Sequence, residues 1–156
     1  MCSSDLCIDD MRLLIDSLDP VDHDVGLMLA NLRWRLSSRL HACGIDSVWE
    51  VDNLLPVLWV DPPHALQLLR LLQEAFANVL KHANASQIHI TAYDEGDNLI
   101  LCICDNGDGF NLQSTAEGRG LGTMRARAER LGGWFAVHSA PHEGTRLQLT
   151  LPRHRR

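Results

Sequence analysis

Residues 87–110 read QIHITAYDEGDNLILCICDNGDGF, and this stretch decides the fold. From Gln87 to Tyr93 apolar and polar residues alternate, with Ile88 and Ile90 pointing one way, the period-two pattern of a half-buried strand. Glu95-Gly96-Asp97-Asn98 is turn chemistry. Leu99 to Cys104 is a second, almost wholly apolar strand, and strands joined by so short a turn pair antiparallel. Cys102 and Cys104 alternate within it, so they are expected on one face as small buried hydrophobes. At Asp105 the apolar run stops and a polar, glycine-rich stretch begins.

Upstream, residues 64–83 form a strongly apolar helix, with Ala65, Leu68, Leu69, Leu72, Ala75, Phe76, Val79 and Leu80 at helical spacing. Pro56, Pro62 and Pro63 mark the connection before it, and Ser47–Asp52 reads as a short strand. Another helix is expected over 24–42, its apolar face holding Leu27, Leu29, Ala30, Leu32, Leu36 and Leu40, with Arg33, Arg35 and Arg39 outward; Gly44 caps it. The first helix spans Asp5–Leu18, stopped by Pro20. Downstream, the glycine-rich stretch merges into a short helix ending at Gly132-Gly133. Two last strands follow, Trp134–Ser139 and Gly144–Leu151, joined across Ala140-Pro141-His142-Glu143. Helices first, then helix and strands mixed, with short turns between neighbouring strands, predict an α/β two-layer sandwich: a mixed or antiparallel sheet covered on one face by helices.

With 156 residues the chain suits one compact domain, or one domain plus a helical extension. A net charge of −6 argues against a general nucleic-acid surface, which needs a basic footprint. Arg153, Arg155 and Arg156 are read as a solvated basic tail over 153–156. The five cysteines show neither CxxC spacing nor a nearby histidine pair at zinc-finger spacing. No secretory signal precedes the first element, and no apolar run approaches the ~18–20 residues that span a bilayer. The chain is therefore read as cytoplasmic, either free or as the soluble domain of a membrane-bound sensor.

Three polar clusters interrupt this structural sequence. Glu74, Asn78, Lys81 and His82 recur at spacings of three and four, so they line one stripe of a very apolar helix. The bland alternative is a solvent-facing edge. Asp105-Asn106-Gly107-Asp108-Gly109-Phe110 follows a buried strand, and its two glycines let backbone approach a ligand; taken alone it reads better as a ligand-free Asn-Gly-Asp-Gly turn. It lacks the regular acids and closing glutamate of an EF-hand. Gly118-Arg119-Gly120-Leu121-Gly122 opens a helix, where exposed N–H groups attract anions. It has neither the entering strand of a dinucleotide fingerprint nor the Gly-Lys-Ser/Thr ending of a P-loop.

In this order and spacing the clusters resemble the N, G1 and G2 boxes of the GHKL ATPases, the superfamily of gyrase, the Hsp90 chaperone, mismatch-repair ATPases and histidine kinases. LQEAFANVLKHANAS (72–86), DNGDGF (105–110), GRGLGTMRARAERLGG (118–133) and GTRLQLTLP (144–152) look like the histidine-kinase subfamily paired with helix-turn-helix response regulators. The resemblance runs from about Leu6 to Pro152. It implies binding of ATP or ADP with Mg²⁺. Asn78 would be a metal ligand, Lys81 and His82 donors to phosphate, and Glu74 a base or the orienter of a metal-bound water. Asp105 would accept from the adenine 6-amino group, with Thr145 supporting the same edge. Gly107 and Gly109 would give the ring room. Gly118, Gly120 and Gly122 would frame a lid over the phosphates, with Leu121 and Met124 helping to close the pocket. The lid after Phe110 is short, and no separate phenylalanine box is present.

The resemblance also sets the expected organisation. Residues 1–20 would be the remnant of a second dimerisation helix with its linker, and 21–152 the catalytic ATP-binding domain. The γ-phosphoryl group would go to a histidine on a dimerisation domain absent from this chain. His23-Asp24 is the rival acceptor within it, set aside because His23 follows Pro20 in a loop. The other histidines (41, 64, 89, 138, 142, 154) read as surface or strand positions with no partner in view. Expected partners are the chain's own dimerisation domain and a cognate response regulator, with a homodimeric full-length protein and a monomeric fragment. Two alternatives stand beside this reading: an anti-sigma-type serine kinase, and a nucleotide-binding regulatory module without activity.

Overall fold

The computed structural model describes residues 13, 23–115 and 120–154. The expected helix over 5–18, and with it the proposed dimerisation remnant, lies outside them apart from Leu13. Helix α1 (Val25–Ala42) starts where the Asp24 side chain accepts from the Leu27 N–H at 2.8 Å. It ends as expected at Gly44, whose φ of +79° suits a residue without Cβ. Its buried stripe is Val25, Met28, Leu29, Leu32, Leu36 and Leu40. Leu27 (47% exposed) and Ala30 are outside it, contrary to expectation. Leu27 stands two residues, about 200°, round the helix from Val25, so both cannot face the core.

Strand β1 (Asp46–Val51) leads through an extended connection to α2 (Pro62–Asn78). The two prolines belong to the helix rather than to the connection. Asp61 caps it by accepting from the His64 N–H at 3.1 Å, and first-turn positions have no helical bond for a proline to break. The α-geometry stops at Asn78. Val79–Ala83 is a π turn, closed by Asn84 in the left-handed conformation (φ +50°). Then come β2 (Gln87–Glu95), β3 (Asn98–Asp105), the single turn α3 (Leu112–Thr115), α4 (Leu121–Arg130), β4 (Trp134–Ser139) and β5 (Thr145–Pro152).

The five strands form one mixed sheet in the order β1-β2-β3-β5-β4, with β1 parallel to β2 and every other pair antiparallel. This is the two-layer α/β architecture read from the sequence. Ile88, Ile90, Leu99, Leu101, Ile103, Leu147, Leu149 and Phe135 meet the buried faces of the helices in one core. Trp49 and Phe76 stack within it, with ring centres 6.2 Å apart. Burying side chains of this kind is the main term that holds such a domain together.

Cys102 and Cys104 share a face, but it is the one turned away from the helices. Cys102 is buried there because the Arg146 guanidinium (3.6 Å) and Gln148 (3.8 Å) reach its sulfur, while Cys104 is half-exposed. Arg153 is likewise no solvated tail. Its guanidinium pairs with Asp94 at 2.5 Å and donates to the Gly96 carbonyl at 3.0 Å, tying the end of β5 to the β2–β3 turn. Three histidines expected to stand alone have carboxylate neighbours: His41 with Asp46, His64 with Asp61 and His89 with Glu50.

Candidate functional site

A cleft opens where the C-terminal end of α2 faces the end of β3. Ala75, Val79, Ile103, Phe110, Leu121 and Leu147 give it apolar walls, and Asn78, Asp105, Gly109 and Thr145 bring polar groups into it. A mostly apolar cleft with a few convergent polar groups is the usual form of a small-molecule site. Four of the residues singled out in the helix, the loop and the last strand thus meet, together with Leu121 of the third cluster.

Asp105 is the last residue of β3 and stands opposite Thr145 of β5. Its Oδ1 accepts from the Gly107 backbone N–H at 2.9 Å. Burial pushes the carboxyl pKa above its ordinary 3.8, partly offset by the backbone N–H groups of Gly107 and Thr145. A half-buried carboxylate with free acceptor capacity calls for a donor from a ligand.

The loop after Asp105 is held by its own side chains. Asn106 turns from the cleft: its Oδ1 accepts from the Ser86 and Gln87 N–H groups (3.0 and 2.9 Å) and its amide donates to Ser86 Oγ (2.9 Å). Gly109 (φ +65°) lines the cleft, but the strict demand for glycine comes from behind it. A Cβ there would lie 2.1 Å from the Ala140 carbonyl oxygen, and one on Gly144 would lie 2.2 Å from the Asp105 oxygen. The loop and the β4–β5 turn therefore touch backbone to backbone.

Glu74 stands one turn before Asn78, half-buried, against the start of α4. Gly120 (φ +75°) begins that helix without a side-chain cap, so first-turn N–H groups lack intrahelical partners beside the cleft. Gly122 lies in that first turn. Leu121 forms cleft wall, whereas Met124 is wholly buried beneath it in the core and is not among the lining residues. Gly118 lies outside the described residues. The π turn moves Lys81 off the Glu74–Asn78 stripe: it is exposed and not among the lining residues, and His82 occupies the same turn.

Two supporting residues were not assigned from sequence, Asn106 and Ser139. Ser139 occupies the inward register of β4 after Phe135 and Val137, in the row of Thr145 and Asp105. A serine ending an inward apolar series is the signal that marks it.

His23, the rival acceptor, sits before α1 with φ +62°. Its backbone donates to the Val60 carbonyl (2.8 Å) and accepts from Val57 (2.9 Å). Among the described residues no group of three or more His, Cys, Asp or Glu could hold a metal. On α2 the hard oxygens here are the Asn78 amide, which lines the cleft, and the Glu74 carboxylate one turn before it, a donor pair suited to a cation that keeps waters or takes ligand oxygens.

Residues 64–155 match the family model described as histidine kinase-, DNA gyrase B- and HSP90-like ATPases. The sensor protein VraS of Staphylococcus haemolyticus is 39% identical over 89 residues, 56% of this chain and 26% of that protein. VraS of Staphylococcus aureus is 40% identical over 86 residues, 54% of this chain and 25% of that protein. The chain thus spans about a quarter of the length of these relatives. Among solved structures, the Acinetobacter baumannii histidine kinase AdeS superposes with a TM-score of 0.71 at 15% identity, covering 96% of this chain and 76% of that one. The histidine kinase domain of Erythrobacter litoralis EL346 gives 0.66 at 18% identity, covering 96% and 71%. At these identities the likeness is one of fold. No helix among the described residues is long and apolar enough to cross a membrane.

Proposed function

Because the chain belongs to the family of histidine kinase-, DNA gyrase B- and HSP90-like ATPases, we propose that it is the Mg·ATP-binding catalytic domain of a sensor histidine kinase. The observation that carries the proposal is the shared cleft of Asn78, Asp105 and Thr145, walled by Leu121 at the head of α4. Asp105 takes the exocyclic amino group of adenine, and Thr145 reads the same edge. Gly107 and Gly109 leave the ring room, and Ile103 and Leu147 supply apolar wall.

The phosphates lie toward α4, whose N-terminal N–H groups and dipole favour negative charge. Gly118, Gly120 and Gly122 would frame the lid over them. Lys81, exposed on the π turn, would offer its charge to the phosphates from outside the cleft wall, and His82 of the same turn would be a further donor. Met124 acts from beneath, as the packing that holds Leu121 in the wall. Mg²⁺, when bound, would neutralise phosphate charge; Asn78 would hold it through the amide oxygen, and Glu74 would orient a water of the metal or serve as base. The chain's contribution to phosphoryl transfer is thereby positioning and charge stabilisation.

The acceptor is a histidine on a dimerisation domain beyond residues 21–152, of which 1–20 form the last part. The phosphoryl group then passes to a response regulator. The whole protein is a homodimer, cytoplasmic or with this domain as the soluble part of a membrane-bound sensor, and this chain by itself is a monomer. No observation favours the serine-kinase or regulatory-module alternatives over this reading.

The test is phosphotransfer in trans. With Mg·ATP this chain alone should form no stable phosphohistidine, yet it should label a supplied dimerisation domain. In-line transfer needs the acceptor nitrogen ~3–3.5 Å from phosphorus, and the clamped backbone of His23 offers no such approach. Acid-labile label on the chain itself, abolished by His23→Gln, would overturn the absent-acceptor reading. No label on either component would overturn the kinase reading.

A further inference from the structure

The hydroxyls of Ser139 and Thr145 lie 2.9 Å apart at the end of the sheet, in one row with Asp105. A serine hydroxyl has one proton to donate and two lone pairs to accept with, and at Ser139 all three are committed. The Phe110 backbone N–H donates to its oxygen at 2.9 Å. The Gly144 carbonyl, which can only accept, takes its proton at 3.0 Å. The remaining lone pair faces Thr145, so Thr145 is the donor in that pair.

Thr145 then has no proton left for the cleft it lines. It presents lone pairs alone, beside a carboxylate that in its ionised form also only accepts. The nearest backbone donor, the Gly107 N–H, is already bound to Asp105 Oδ1. This end of the cleft is therefore an acceptor-only edge.

We infer that Ser139, although it does not line the cleft, is a positioning residue that sets the donor–acceptor polarity of the base-reading edge. It makes that edge select a purine bearing an exocyclic amino group over one bearing an oxo group at the same position. The inference rests on the nucleotide reading above. An amino group brings donors to Asp105 and Thr145, whereas an oxo group at the same position only accepts and meets acceptors there, a basis for discrimination. Without the Ser139 hydroxyl, the Thr145 proton is free to turn into the cleft and meet an oxo group.

The experiment measures calorimetric affinity of the whole chain for ATP and for inosine triphosphate, its 6-oxo counterpart, each with Mg²⁺. The unsubstituted protein prefers ATP. Ser139→Ala should shrink the ATP-to-ITP ratio roughly five- to tenfold, and Ser139→Thr, which keeps the hydroxyl, should restore it. Thr145→Val should shrink the ratio similarly, and adding Ser139→Ala to it should shrink it no further. Equal weakening of both nucleotides by Ser139→Ala, with an unchanged circular dichroism spectrum, would make Ser139 a mere loop anchor and overturn the inference. So would an unsubstituted protein that binds both nucleotides alike. If Ser139→Ala does not fold, Ser139→Cys, whose thiol is a weak donor and acceptor, is read by the same ratio. Binding of neither nucleotide by the unsubstituted chain would defeat the nucleotide reading itself, a distinct result.

Discussion

A Cβ added to Gly120 would lie 2.9 Å from Oε2 of Glu74. The head of α4 and the second half of α2 are thus in contact across the mouth of the cleft. The contact joins the first and third polar clusters of the sequence, and the φ of +75° at Gly120 makes it possible.

Gly120→Ala is expected to destabilise the fold by about 1–2 kcal/mol, the cost of a left-handed conformation for a residue with a Cβ. The Glu74 carboxylate ends a flexible side chain and can step aside, so Glu74→Ala should not rescue stability. Nucleotide affinity should fall as well, because the lid helix starts at this residue. Chemical denaturation and ATP titration of the single and double variants check this. Rescue by Glu74→Ala would show that the clash, and not φ, governs the position.

Nucleotide affinity should fall on acidification, at a pH above the ordinary carboxyl value of 3.8. Only the ionised Asp105 is purely an acceptor, and burial raises its pKa above 3.8. For the unliganded fold the sign is opposite. A carboxyl with a raised native pKa contributes stability that is fully present below pH 3.8 and is lost as pH rises through the folded-state value. Asp105→Asn should therefore flatten the pH dependence of ATP binding, and its stability relative to wild type should improve as pH rises from 3.8 through the folded-state value. Titration and denaturation across that window test both. An unchanged pH profile for binding would remove Asp105 from recognition of the base.

Asn78→Ala should abolish the Mg²⁺ dependence of ATP binding while leaving metal-free binding within about threefold, since the amide oxygen is offered to the metal rather than to the base. The half-buried side chain lines an open cleft, so the fold should survive, as thermal melting would verify. A wild-type Mg²⁺ response would reassign the ligand.

Much of this molecule follows from the sequence alone, because hydrophobic period is a local property. Alternation in β2 and the apolar run of β3, joined across Gly96 and Asp97, could only make a hairpin. The 3.6-residue stripe of α2 could only pack its apolar side on a sheet. The family and its three polar clusters were legible for the same reason, as short runs at readable spacing. Other features were decided by contacts between segments distant in the chain. Val25 and Met28 displace Leu27 and Ala30 from the core because packing, not composition, sets the rotation of α1. The π turn at Val79–Ala83 takes Lys81 off the stripe that even spacing predicts. Gly109 and Gly144 are required where two loops touch backbone to backbone. The row Asp105–Thr145–Ser139 exists only because β5 pairs between β3 and β4. Periodicity says which side of a strand a residue faces; cross-strand register, which no single segment encodes, says what it meets there.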